Sequence, residues 1–266
     1  MTAAFLDVAT VSLPSPPPDL TRRVRLLQIP TTAGTGSEVT RWASYWMASG
    51  EKLSFDNSAC WADAAIIDPA LSSGMPPRTS LATGLDALAH AVESLWGRAS
   101  TPASDALASA ALGLIAHHLP NAITCPSPSD REAMAMAALL AGLALSRCES
   151  AAAHALSYGL TGRFGIEHGI AVGLMCRGLL RVVAERSRES VDVVLDALGL
   201  ATVEQAELFI DRLMESASVR PSLSALGVPR SAWPGLVSDA LRSNRLANQP
   251  GKWDHDDLID VLGRVA

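Results

Sequence analysis

The apolar positions of this chain keep two different periods, and the change falls near residue 75. Before it they come in short runs. Arg25 to Ile29 (RLLQI) reads as a brief buried strand stopped by Pro30, Thr40 to Met47 as a second strand, and Ala64 to Ile67 as a third, closed by Asp68-Pro69. Residues 50–57 read as a turn or excursion. Ahead of these, residues 1–13 suit a short helix ending before Pro14, and Ser15 to Asp19 (SPPPD) form a rigid, exposed connection. From Thr79 onward the period moves towards 3.6. Helices are expected over about 79–96, 102–119, 130–159, 169–184, 189–198, 202–217, 231–243 and 254–264. Local punctuation agrees: Thr101-Pro102 and Ser129-Asp130 open helices, Gly199 closes one, and Asp254 with Asp257 forms a cap with an acid at N3.

A few short strands with almost no crossover helix make a poor free-standing parallel sheet, because both faces need cover. The pattern therefore predicts an α/β remnant of a doubly wound nucleotide-binding domain over residues 1–75. An all-helical domain over 76–266 follows it.

Composition narrows the function classes. Apolar residues make up 48% and charged residues 18% of the 266, a globular balance. The net charge is -6, and no basic run is dense enough to track phosphates, which disfavours nucleic acid. No uninterrupted apolar run reaches the length of a membrane span, and no leader pattern opens the chain, so a soluble, cytoplasmic protein is expected. The four cysteines, Cys60, Cys125, Cys148 and Cys176, are widely spaced and read as free thiols, several of them buried.

Candidate chemistry concentrates in the helical part. Asp86 and His90 stand four apart in TGLDALAHAVE, so on a helix both reach one point in space. A carboxylate with imidazole suits Fe(II), Zn, Mn, Ni or Co better than Mg or Ca. Such a pair is also common on ordinary helices. His154, in AAAHALSYG, reads as a metal ligand or as a core histidine bonded to a carbonyl; His168, in FGIEHGIAV, as a ligand or a helix-start residue. Tyr158 follows His154 by one turn. His117 and His118, beside Pro120, look like partners of a helix C-terminus, and His255 looks solvent-exposed.

Taken together, DALAHAVE (Asp86, His90, Glu93), the spacing of His154 and His168, PTTAGTGSEVT (residues 30–40), Asp68-Pro69 and ANQP (residues 247–250) resemble the iron-containing (group III) alcohol dehydrogenase family, from about residue 3 to the end. The resemblance implies a dehydroquinate synthase-like, iron-dependent alcohol dehydrogenase fold. It implies that Asp86, His90, His154 and His168 hold Fe(II), with Zn or another divalent ion as substitute. It also implies hydride transfer between NAD(H) or NADP(H) and a small aldehyde or alcohol. Thr31, Thr32, Gly34, Thr35, Gly36 and Ser37 would then form the cofactor-facing loop, with Lys52 a further contact or an exposed lysine. Tyr158 would be a proton-relay or substrate-orienting hydroxyl, or simply a packing ring.

TRWASYWM and HALSYGLTGRFGIEHG are similar to the branch that reduces phosphonoacetaldehyde. For a phosphonate, Arg41, Arg147, Arg163 and Arg177 are the candidate bidentate partners, each alternatively a surface ion pair. A homodimer is compatible with this reading.

The chain also departs from the family. Full members carry a further amino-terminal stretch with a GGGS phosphate loop, where this sequence has MTAA; Thr10 stands in place of a usual lysine, and Glu167 in place of a proline. A truncated sequence is therefore expected, with Glu167 a candidate for orienting an imidazole. The alternative is an impaired member acting as a metal-binding or protein-interaction module.

Overall fold

The computed structural model describes residues 24–46 and 52–266. The expected amino-terminal helix and SPPPD connection lie outside these residues. Four short strands open the described chain: β1 (Leu27–Gln28), β2 (Trp42–Trp46), β3 (Lys52–Asp56) and β4 (Ala64–Ala65). β1 and β4 pair in parallel, Leu27 opposite Ala64 and Gln28 opposite Ala65. β2 and β3 form an antiparallel hairpin, Trp42 opposite Asp56 through to Trp46 opposite Lys52. The excursion expected at 50–57 is thus largely a strand; the alternation in KLSFD is its signature. Leu27, Ile29 and Ile66 remain exposed, so the parallel pair is apolar and open, as an isolated pair of this kind must be.

Among the described residues nine α-helices follow: α1 (Pro77–Trp96), α2 (Pro102–Thr124), α3 (Pro128–Cys148), α4 (Ala152–Phe164), α5 (His168–Arg186), α6 (Arg188–Leu198), α7 (Val203–Ser216), α8 (Trp233–Leu241) and α9 (His255–Gly263). α1 is the axis of the bundle. It packs against α2, α3, α5 and α6, and it is buried from Gly84 to Trp96 without a break. A helix enclosed on every side must be apolar all round or must pair its polar groups. Asp86, His90, Glu93 and Ser94 are therefore the residues on α1 that need a reason. The outer helices are ordinary amphipathic ones: α6 buries Val191, Val194, Leu195 and Leu198, a single stripe.

Three boundaries differ from the sequence reading. α2 does not stop before Pro120 but runs on to Thr124. Proline removes one backbone donor, at a cost of about 3 kcal/mol. Fully burying Leu119, Ala122 and Ile123 offsets this, since a buried Leu or Ile contributes about 1.5–3 kcal/mol. His118 consequently lies inside the helix, where its Nδ1 meets Asp130 Oδ1 at 2.9 Å instead of capping a terminus. α3 opens with Ser127 as its cap and Asp130 at N3, a reciprocal capping box, two residues earlier than expected.

The largest correction concerns 130–159, expected as one helix. It is two, α3 and α4, meeting at 108°. Glu149, at φ 63 and ψ 165, makes the corner in a region that residues with a side chain rarely adopt. Alone among the described helices, α2 is long and apolar enough to cross a membrane, but it lies between α1 and α3. Cys148 and Cys176 are buried free thiols, Cys60 is buried, and Cys125 is exposed.

Candidate metal centre

Three helices converge on one oxygen. α1 places Asp86 and His90 one turn apart on the same face, 5% and 6% exposed. α4 contributes His154 (3% exposed), and α5 contributes His168 as its first residue. His90 Nε2 lies 3.5 Å from Asp86 Oδ1, and the Nε2 atoms of His154 and His168 each lie 3.7 Å from it. Asp86, His154 and His168 form the tightest trio, with donor atoms all within 4.8 Å of one another. His90 joins from the side, its ring stacked on His154 with centroids 4.9 Å apart.

These are the separations that a shared ion produces. Donors held at about 2.1 Å from one tetrahedral ion stand about 3.4 Å apart. Asp86 Oδ1 and His154 Nε2 are buried and make no hydrogen bond, an arrangement that costs about 1–3 kcal/mol per group unless something else satisfies them. One carboxylate oxygen with imidazole nitrogens suits a divalent transition metal or zinc. The residues fit the group.

His168 reaches this point because α5 begins almost in contact with α1. A Cβ on Gly169 would lie 1.7 Å from Ala82 O, so only glycine allows the approach. His154 reaches it because α4 begins where it does, after the corner at Glu149. Several side chains hold that corner. Glu93 accepts hydrogen bonds from Ala151 N (2.9 Å) and Ala153 N (2.7 Å), and from His154 Nδ1 at 2.6 Å. Asn248 Nδ2 donates to Cys148 O at 2.8 Å, and Gln249 Oε1 accepts from Ala152 N at 3.4 Å. The ANQP segment is therefore part of the clamp on the helix corner. Glu149 itself pairs with Arg245 at 3.1 Å.

The electrostatics are those of a site built for positive charge. Burial alone would raise the Asp86 pKa, but His90, His154 and His168 together hold the carboxyl ionised, well below the usual range. Burial would lower His154; Glu93 and Asp86 overcome that and push it up to about 10 in the metal-free chain. Glu93 is likewise held below its ordinary value against the effect of burial, by His154 and by the backbone donors of Ala151 and Ala153.

Tyr158 stands where the sequence placed it. Its half-buried ring stacks on His168, centroids 5.9 Å apart, and meets His154 edge-on at 6.5 Å. The loop at residues 31–37 crosses the start of α1. Gly34 packs so closely that a Cβ would lie 2.6 Å from Thr83, one turn before Asp86. Gly36, at φ 57, faces Gly142 of α3, where a Cβ would meet its Cα at 2.5 Å. Both glycines are thus accounted for by helix contacts. Thr31, Thr32 and Thr35 are exposed beside this seat, and Thr35 Oγ1 bonds Ser37 Oγ at 3.1 Å. Lys52 begins β3, and its side chain lies outside the description.

Three of the four arginines are matched by carboxylates. Arg41 pairs with Asp56, Nε to Oδ1 at 2.5 Å, across the β2–β3 hairpin. Arg147 is exposed on the last turn of α3, and Arg163 bonds Asp239 on α8. Arg177 is held by both oxygens of Asp211, at 2.8 and 3.0 Å, and by Arg264 O. It also lies nine residues beyond His168, about 13 Å along the helix. Glu167, expected as an imidazole-orienting acid, instead pairs with Arg78 at 2.7 Å. Glu93 holds that role at His154. The sequence reading had Glu93 in its motif but gave it no task, because its partners are 58–61 residues away in the chain.

Comparison with known proteins agrees with this geometry. Residues 80–266 match the Fe-containing alcohol dehydrogenase family, C-terminal, and residues 3–69 match iron-containing alcohol dehydrogenase. The chain belongs to the iron-containing alcohol dehydrogenase family. It is 36% identical over 229 residues to long-chain-alcohol dehydrogenase 1 of Geobacillus thermodenitrificans, covering 82% of this chain and 57% of that protein. It is 33% identical over 255 residues to phosphonoacetaldehyde reductase of Streptomyces viridochromogenes, covering 90% and 63%. The crystal structure of sulfoacetaldehyde reductase from Bifidobacterium kashiwanohense in complex with NAD+ superposes with a TM-score of 0.84 at 30% identity, covering 92% of this chain and 65% of that one. The chain thus spans about three-fifths of the length of these relatives.

Proposed function

We propose that this chain is the metal-binding and catalytic part of an NAD(P)(H)-linked alcohol dehydrogenase or aldehyde reductase. Asp86, His90, His154 and His168 hold the ion, most naturally Fe(II). The observation that carries the reading is the convergence of three imidazole Nε2 atoms on a buried, unsatisfied Asp86 Oδ1. A bound divalent ion supplies Lewis-acid polarisation of a carbonyl oxygen at this place. The chain's own residues do the rest. Thr31, Thr32 and Thr35 are exposed, and their hydroxyls would bond a nucleotide cofactor. Tyr158, stacked on His168, offers a hydroxyl for orienting the substrate or passing a proton.

For substrate we favour a short anionic aldehyde, phosphonoacetaldehyde first. Relatives that reduce phosphonoacetaldehyde and sulfoacetaldehyde support this class, and a long-chain alcohol dehydrogenase argues for an apolar alternative. The arginines give limited support. Arg147 makes no ion pair recorded among the described residues, whereas Arg41, Arg163 and Arg177 are already matched by carboxylates.

The test is a paired assay. Fe(II)-loaded protein, as the 266-residue chain and with the in-frame sequence upstream of Met1, is given NADH or NADPH with phosphonoacetaldehyde, sulfoacetaldehyde, acetaldehyde and a long-chain aldehyde. Preference for the anionic aldehydes supports the reading; equal or better use of the neutral ones refutes the substrate class. A second reading, a metal-binding or protein-interaction module, is favoured by the open apolar face of Leu27, Ile29 and Ile66. Metal uptake without reductase activity in either form would select it.

A further inference from the structure

Glu93 has no exposed surface, yet it does not face the metal donors. It sits on α1 two turns after Asp86, and its side-chain hydrogen bonds go to the first residues of α4 and the residue before them. Oε2 accepts from Ala151 N at 2.9 Å and from His154 Nδ1 at 2.6 Å. Oε1 accepts from Ala153 N at 2.7 Å and, at the long limit, from His154 N at 3.4 Å. Backbone N–H groups only donate, so both oxygens are committed as acceptors.

Two consequences follow. An acceptor at 2.6 Å fixes a proton on Nδ1 of His154, which leaves Nε2, 3.7 Å from Asp86 Oδ1, as the nitrogen that can bind an ion. The same carboxylate also replaces a missing cap. The residue before α4 is Ala151, which has no side-chain oxygen to bond the free N–H groups of the first turn. One group therefore both starts the helix that carries His154 and sets the ring on it.

We propose that Glu93 is a positioning residue for the metal: by accepting from His154 Nδ1 and from the start of α4, it presents His154 Nε2 to the ion. This rests on the metal-centre reading given above. A purely structural reading makes Glu93 only the cap of α4, and the two are separable.

In E93Q the amide keeps one acceptor and brings one donor, so Ala153 N–H and His154 Nδ1–H can no longer both be satisfied. In E93L/A151S the new serine hydroxyl supplies a local cap, while leucine offers His154 no acceptor. The full chain and its variants, including H154A, are titrated with Zn(II) and with Co(II), whose ligand-field absorption reports the coordination geometry. Far-UV circular dichroism and thermal denaturation follow the fold.

We expect E93Q to bind both ions 10–100-fold more weakly and to shift the Co(II) bands. We expect E93L/A151S to regain thermal stability but not metal affinity. If E93Q does not fold, the double variant carries the test. Affinity within threefold of wild type and unchanged Co(II) bands in either variant, with H154A losing the ion, would overturn the positioning role. Recovery of both stability and affinity in E93L/A151S would overturn it too, leaving a cap alone. Full metal stoichiometry in H154A would instead refute the metal-centre reading on which this inference stands.

Discussion

Gly169→Ala is the smallest change that separates the bundle from its site. The added methyl would stand 1.7 Å from Ala82 O and 2.5 Å from Ala82 C, backbone atoms in the middle of α1 that have no rotamer to change. An ordinary carbon–oxygen contact is at least about 3.2 Å, so α5 must back away from α1 by roughly 1.5 Å at its first turn. His168 is the residue immediately before. Metal–donor distances tolerate about 0.2 Å, so a shift of this size removes His168 from the shell while leaving the other three donors in place.

Overpacking of this kind costs about 1–3 kcal/mol. For a chain of this size that lowers Tm by about 2–5 °C. Gly263→Ala is the matched control, because its Cβ meets nothing within 4 Å. Thermal denaturation of the metal-free proteins gives the packing cost, and equilibrium dialysis against Zn(II) gives the affinity. We expect G169A to bind at least tenfold more weakly and G263A to match wild type in both. An unchanged Tm and affinity in G169A would refute the claim that the α1–α5 contact sets the position of His168.

Other outcomes follow from the same geometry. H154A and H168A should each lose most bound ion, read by elemental analysis after anaerobic reconstitution; retention of one ion per chain in both would contradict the site. Metal uptake should release protons, because the metal-free His154, raised to about 10 by Glu93 and Asp86 against the effect of burial, is protonated at neutral pH. Affinity should therefore rise from pH 6 to 8, while the stability that this group lends the metal-free fold is full below about pH 6.5 and fades as pH climbs towards 10. Asp130 is held down to about 2, first by the Ser127 hydroxyl and then by His118, so its contribution is present above about pH 4 and is lost as pH falls towards 2. S127A should cost about 1 kcal/mol at neutral pH and less at pH 2, measured by urea denaturation.

The sequence by itself determined what depends on near neighbours. The stripes of α6 and α7, the caps at Thr101 and Asp254, and the αL stop at Gly199 are local, and each was realised. So was the pairing of Asp86 with His90, because four residues on a helix are one turn whatever surrounds them. Other features were open until distant segments met. Nothing in the run from 130 to 159 marks a corner at Glu149; it exists because Glu93 from α1 and Asn248 from the far end of the chain supply the hydrogen bonds that a continuing helix would have made. Pro120 reads as a stop until the burial of Leu119 and Ile123 against other helices outweighs one lost bond. The arginines had no preferred destination in sequence, and tertiary packing gave three of them carboxylate partners. A side chain's residue type states what it can bind. Its distance from every other group is a property of the packed helices, and that distance decides whether a histidine is a ligand or a filler.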